Sequence, residues 1–448
     1  MTNRRRWLVL FLGLTLVRGL IYAAVTPPWQ SPDENGHLEY AWLIAHLGRL
    51  PTHEDVSPAF ERELLGSLYE WRYGEFVGRP LPEQMPTRMN DLPPEVFARR
   101  SRTVLSERFS LAYLWQALFL SPFRSQDLIF QLFIARLSSV LLSLGITWLA
   151  FLTFEELELS SLVFIASMAV VIFLPQHTFI NSMVGEGPLA ELVACLVIYC
   201  WTRLFHREFR FWEAIGIVSG TFAGMWSKST ATFLMPVDVW LAIWFFLRRQ
   251  RRVWTRRSVI YSCAGIVVLG LGLWGWSHSR LGAIATDYAQ LPLSSPGLLL
   301  VDERGITIWQ ALGLSYDSFW ANFGWMALPV SQRWYGAITL LSLMAAVGWI
   351  IGGSGREEDS WIARMMGGIG FVAWAMFISV AIAFRPGYYQ YQGRYLFPVI
   401  IPYTFLLVGG LERLFSGHLR RSVVLFFLLA LVCFDVWCIV GYIIPCFY

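Results

Sequence analysis

Apolar and polar positions in this chain segregate into long blocks, without the short-period alternation of a soluble domain. Apolar runs recur at 7–25, 129–152, 162–178, 188–205, 212–227, 229–247, 258–277, 334–351, 361–384, 395–411 and 423–444. Each approaches the roughly 20 residues that an α-helix needs to cross the hydrocarbon core of a bilayer. The pattern therefore predicts an all-α polytopic membrane protein with about 11 transmembrane helices. The run 111–123 is too short to cross and reads as an interfacial or re-entrant helix. The first run follows Arg4, Arg5 and Arg6, contains Arg18 and lacks a small-x-small cleavage site, so it is expected to remain as an anchor.

The polar breaks predict an orientation. If the runs simply alternate, Arg4 to Arg6, Arg203/Arg207/Arg210, the arginines between Arg248 and Arg257, Arg356/Arg364 and Arg413/Arg420/Arg421 fall on one side, which the positive-inside rule makes cytoplasmic. The N-terminus is then cytoplasmic and the C-terminus outside. Two long loops, 26–126 and 278–333, lie on the outer side, and the first has room for short interfacial helices.

Composition narrows the function classes. With 448 residues, 56% hydrophobic and 15% charged, and a mean hydropathy of +0.51, the chain has no room for a large soluble catalytic domain. One transmembrane domain, 1–448, with no soluble C-terminal domain is the economical description. The six cysteines lie in or beside apolar runs and read as small core hydrophobes. There is no phosphate loop of the GxxxxGK[ST] type to drive an ATP-dependent pump. No nucleic-acid partner is expected, and membrane lipids are the default surroundings. Mid-span charges are few beyond Arg18, Asp238 and Asp435, which argues against a transporter.

Polar chemistry gathers on the outer face. After the first run, Ser31, Pro32 and Glu34 have the spacing of a capping box for a helix running to about Leu47. Asp33, His37 and Tyr40, at i, i+4 and i+7, would share one face of that helix, where a carboxylate beside an imidazole is a plausible acid/base pair. Lys228, the one lysine among 35 basic residues, sits between two apolar runs; it is either an interfacial anchor or a point-charge contact to a phosphate. The segment Gln392-Gly393-Arg394-Tyr395 is either part of an aromatic belt or an amide and a guanidinium set against a glycine that lets the backbone approach a ligand. Glu186, between two glycines, is either a solvated loop acid or a second functional carboxylate.

These stretches resemble the GT-C class of polytopic glycosyltransferases, and most closely a family of uncharacterised bacterial membrane proteins related to it. The resemblance rests on Pro32-Asp33-Glu34 with His37, Tyr40, Gly48 and Pro51; on Leu174-Pro175-Gln176; on Trp226-Ser227-Lys228; on Phe319 to Trp325; and on Gln392 to Pro398. It covers nearly the whole chain. It implies a GT-C-like fold in the bacterial cytoplasmic membrane, a catalytic acid at Asp33 with Glu34 completing an Asp-Glu pair, and a sugar donor carried on a polyprenyl phosphate. Where related proteins carry an Asp after the third span, this chain has Glu186. The expected activity is an inverting sugar transfer at the outer surface, with Asp33 as base, Glu34 or His37 orienting it, and Lys228, Arg394, Gln392 and Tyr395 around the lipid phosphate. A divalent ion, Mg²⁺ or Mn²⁺, on Asp33, Glu34 and Glu186 is compatible with those carboxylates. The alternative is a non-catalytic subunit of a larger complex, or a lipid-carrier binding protein, that keeps the scaffold.

Overall fold

The computed structural model describes residues 2–52, 54–77, 81–92, 109–207, 209–249, 308–352, 357–383 and 391–448. The expected span at 258–277, most of the second long loop and residues 384–390 lie outside them. In chain order the helices are α1 (Thr2–Val25), α2 (Glu34–Leu47), α3 (Pro58–Glu70), α4 (Tyr73–Val77), α5 (Leu111–Leu120), α6 (Leu128–Glu156), α7 (Ser161–Phe173), α8 (Pro175–Asn181) and α9 (Gly187–His206). They continue as α10 (Phe211–Ser227), α11 (Leu234–Arg249), α12 (Ile308–Trp320), α13 (Gln332–Ile351), α14 (Glu357–Ala383), α15 (Ile400–Leu414), α16 (Gly417–Cys438) and α17 (Ile444–Phe447). A two-residue antiparallel pair, Asn322–Phe323 with Leu328–Pro329, is the only sheet among the described residues.

Among the described residues, eight helices are long and apolar enough to cross a membrane, and nine if the bent pair α7 and α8 is one span. The chain is a multi-pass helical membrane protein. The bend of 52° between α7 and α8 falls at Leu174-Pro175, because proline cannot donate the next helical hydrogen bond and pushes the residue before it out of the helical region. Thr178 repairs the break: its hydroxyl donates to the Ile172 carbonyl and accepts from Arg18 of α1.

The first long loop folds as a cap. Trp29, Leu38, Phe60, Leu64, Leu68 and Tyr113 from α2, α3, α5 and their connections form an apolar cluster separate from the main core, seated on Leu132 of α6. The short helices expected there are present, and α5 lies against α2 and α6.

Ion pairs mark the opposite end of the bundle. Arg4 meets Glu155 at 3.4 Å, Arg207 meets Glu156 at 2.6 Å and Arg420 meets Glu412 at 3.5 Å, while Arg248 lies over Trp361. The described arginines Arg4, Arg207, Arg248 and Arg420, from turns that alternation predicts on one side, thus make their contacts at one end, and the cap occupies the other; residues 250–257 and Arg356 lie outside the described residues.

Candidate functional site

The site begins with a buried arginine that sequence reading passed over. Arg136, fully buried in α6, uses all five of its N–H donors. They go to the carbonyls of Ala23, Thr26 and Pro27 and, as a bidentate pair, to both carboxylate oxygens of Glu34. Glu34 also accepts from the backbone N–H groups of Trp29 and Val184. One ion pair therefore ties together the end of α1, the start of α2, α6 and the turn before α9.

This arrangement overturns two expectations. The capping box does not form: α2 starts at Glu34, with Asp33 as the residue before it, and Glu34 reaches back to Trp29 and Arg136, leaving the Ser31 N–H. Nor does Glu34 share a site with Asp33: its carboxylate is sequestered by Arg136, and Asp33 lines the cavity without it. Asp33 itself adopts φ 64°, a left-handed conformation that few side chains tolerate and Asp tolerates better than most. The Glu34 anchor next to it holds that conformation in place.

Asp33, His37, Glu186, Lys228, Arg394 and Tyr395 line one cavity of about 290 Å³ at the cap end of the bundle. They come from α2, the turn before α9, the end of α10 and the segment before α15. Asp33 is nearly half exposed and lies 3.4 Å from the Arg394 guanidinium. The Arg394 Nε is buried and has no hydrogen-bond partner among the described residues. Tyr395 stands between the two cations, its ring 5.2 Å from Lys228 Nζ and 5.5 Å from Arg394. The cationic end of the cavity is thus built on one aromatic ring.

His37 faces the carboxylates. Its Nδ1 lies 2.6 Å from the hydroxyl of fully buried Tyr113; with that hydroxyl as donor, Nε2 carries the ring proton toward the cavity. Burial holds the imidazole below its ordinary value, against the opposing pull of Glu186 and Asp33, so it is neutral at pH 7. Tyr40, expected on the same face, packs edge-on against Tyr113 and supports it from behind. Glu186 is buried at the start of α9 and is not the solvated loop acid of the simpler reading.

Two expectations in the last segment also change. Gln392 lines a separate space of about 10 Å³ beside Arg394 and not the main cavity. Gly393 is close to α12 and not to a ligand: a Cβ there would stand 2.3 Å from the Phe319 nitrogen and 2.4 Å from the Ser315 carbonyl. Only glycine lets this strand of chain lie on α12, where its N–H donates to Ser318.

The deepest wall carries groups that were missed altogether. Asn181 and Glu191 line the cavity, and His177 lies behind them. His177 Nε2 is 2.5 Å from one Glu191 oxygen, and the Asn181 amide donates to the other at 2.9 Å. The signal that could have found Glu191, like Arg136, is a charge inside an apolar run, a rare and costly placement. As for metal, Asp33 and Glu186 share the cavity without Glu34, and no group of three His, Cys, Asp or Glu among the described residues could hold an ion. Asp33, Glu34 and Glu186 therefore do not come together as one set of ligands.

No family model matches this chain, and neither the curated proteins nor the solved structures hold a match to it.

Proposed function

We propose that the protein transfers a sugar from a lipid-phosphate-linked donor to an acceptor hydroxyl at the outer face of a bacterial cytoplasmic membrane. The observation that carries the reading is that one cavity gathers a carboxylate and imidazole set (Asp33, His37, Glu186) together with two cations (Lys228, Arg394). A transfer of this kind needs both. Asp33 takes the proton from the acceptor hydroxyl as its oxygen bonds to the anomeric carbon from the face opposite the phosphate. The bond from that carbon to the phosphate oxygen breaks, its electron pair leaves with the phosphate, and configuration inverts.

Lipid phosphate is a good leaving group, so one base suffices and no second carboxylic acid has to protonate it. Charge growing on the phosphate is met by the Lys228 ammonium and by Arg394, whose unpartnered Nε is a donor suited to an anion. Neutral His37, fixed by Tyr113, directs an N–H toward the carboxylate side without adding a positive charge. Tyr395, Phe397 and Pro398 supply an apolar wall on which a sugar ring can stack.

The test is Asp33→Asn in the full chain reconstituted in vesicles, supplied with a prenyl-phosphate-linked hexose and membranes that provide acceptor. Release of free prenyl phosphate should fall by roughly 10²–10⁴, the usual contribution of a positioned base, while the lipid-linked sugar still binds. Wild-type turnover in that variant would refute the base assignment. Unchanged biological activity of Asp33→Ala in a co-purifying complex would favour the non-catalytic subunit instead.

A further inference from the structure

The buried polar group at the floor of the cavity plays no part in the reaction as proposed, yet its side chains are rigidly held. Glu191 and Asn181 are each 1% exposed and His177 is 4% exposed, all three within a helical bundle whose surroundings are apolar. His177 and the Asn181 amide hold the two oxygens of Glu191, and Phe397 packs edge-on against His177, with ring centres 5.2 Å apart. Three polar groups at such depth are costly unless each is satisfied, and one atom is not: Asn181 Oδ1 is buried in the cavity wall with no hydrogen-bond partner among the described residues.

Resting on the transfer reading above, we infer that Asn181 and Glu191 form the subsite that reads the hydroxyls of the donor sugar, with His177 as a positioning residue behind them. The chemistry fits a polyol ring. Asn181 Oδ1 is a fixed acceptor for one hydroxyl, and a Glu191 oxygen accepts from a neighbouring one. Ile180 and Phe397 of the same lining give the ring carbons an apolar surface. Lys228 and Arg394 belong to the same lining as a separate set of side chains, so phosphate and hydroxyls are read by different groups. A volume of about 290 Å³ is at the small end of ligand pockets, ~300–1,000 Å³, which favours a single ring over an oligosaccharide.

The experiment compares two probes on the full chain in lipid nanodiscs: a bare C15 prenyl phosphate, and the same phosphate carrying a hexose, an N-acetylhexosamine or a pentose. Wild type should bind at least one sugar-bearing probe more tightly than the bare phosphate. Glu191→Gln and Asn181→Ala should each weaken that probe about tenfold, the loss of one hydrogen bond, and leave the bare phosphate unchanged. Lys228→Ala should weaken both. If either variant binds both probes as wild type does, or loses both equally while its melting temperature is kept, the subsite does not read sugar. If wild type binds the bare phosphate but gains nothing from any sugar, the subsite fails while the phosphate reading stands. If wild type binds no prenyl phosphate at all, the transfer reading fails first. Should Glu191→Gln not reconstitute, Asn181→Ala, which keeps the His177–Glu191 contact, carries the same comparison.

Discussion

Two adjacent carboxylates in this chain have opposite work. Asp33 is nearly half exposed at the cavity, and Glu34 is fully buried against Arg136. Replacing one partner of a buried ion pair leaves the other charge uncompensated, a loss of about 3–5 kcal/mol, whereas a half-exposed carboxylate can become an amide at little cost. Glu34→Gln should therefore lower the melting temperature sharply, and Asp33→Asn should hardly move it; thermal unfolding of the two purified variants checks the contrast. His37 adds a pH dependence of known sign. Its pKa is lowered in the folded protein, so below the ordinary value of 6.5 the unfolded chain binds the extra proton first. The stability from neutral His37 is complete above that value and declines as the pH falls through it toward the folded pKa. Melting temperatures measured from about pH 7.5 down to about pH 5.5 should drop in wild type and drop less in His37→Gln.

At the scale of elements, the cavity depends on helices that touch through glycine. A Cβ on Gly410 of α15 would stand 2.2 Å from the Ala345 carbonyl of α13, and one on Gly348 of α13 would stand 1.9 Å from the Gly410 carbonyl. Both blocking atoms are backbone, so neither can swing aside, and small residues here let the helices approach as lipid-embedded helices do. The chain running into α15 carries Arg394, so wedging α13 from α15 displaces the cationic wall. Gly410→Leu should destabilise the protein by ~1–3 kcal/mol and weaken prenyl phosphate binding together; normal binding with a lowered melting temperature would uncouple the two. Spans of this kind were readable in the sequence, because twenty apolar residues have few alternatives to a transmembrane helix. The partners of individual charges were not. Ser31-Pro32-Asp33-Glu34 has the local spacing of a capping box, but Arg136, a hundred residues on, outcompetes a cap that offers Glu34 only one backbone N–H. In the same way Gly393 promised a close approach, and only the tertiary fold reveals that α12 makes it.

At the scale of the molecule, the site is a product of alternation. Residues 33, 186, 228 and 394 meet because they fall in breaks between apolar runs that alternate in direction, which is why their common location was legible, while the pairing of Asn181 with Glu191, a charge inside an apolar run, was not. That alternation has to be closed, and the closure is ionic. Arg18 of α1 binds Asp435 of α16, with Tyr22 donating to the same carboxylate and Thr178 at the α7–α8 bend accepting from the same guanidinium. The first and last described spans are thereby joined to the broken helix that forms the floor. A charge left alone at this depth costs several kcal/mol, while a pair replaced by apolar side chains costs far less. Arg18→Leu and Asp435→Leu should each lower the melting temperature strongly, and the double variant should recover much of the loss, the sign of a pair coupled by more than ~1 kcal/mol. Because Thr178 adjoins His177, the single variants should also erode the distinction between sugar-bearing and bare prenyl phosphate, which the double variant would restore only if the apolar pair packs the bend at the same angle. Additive losses in the double variant would mean that the two spans are held by packing alone.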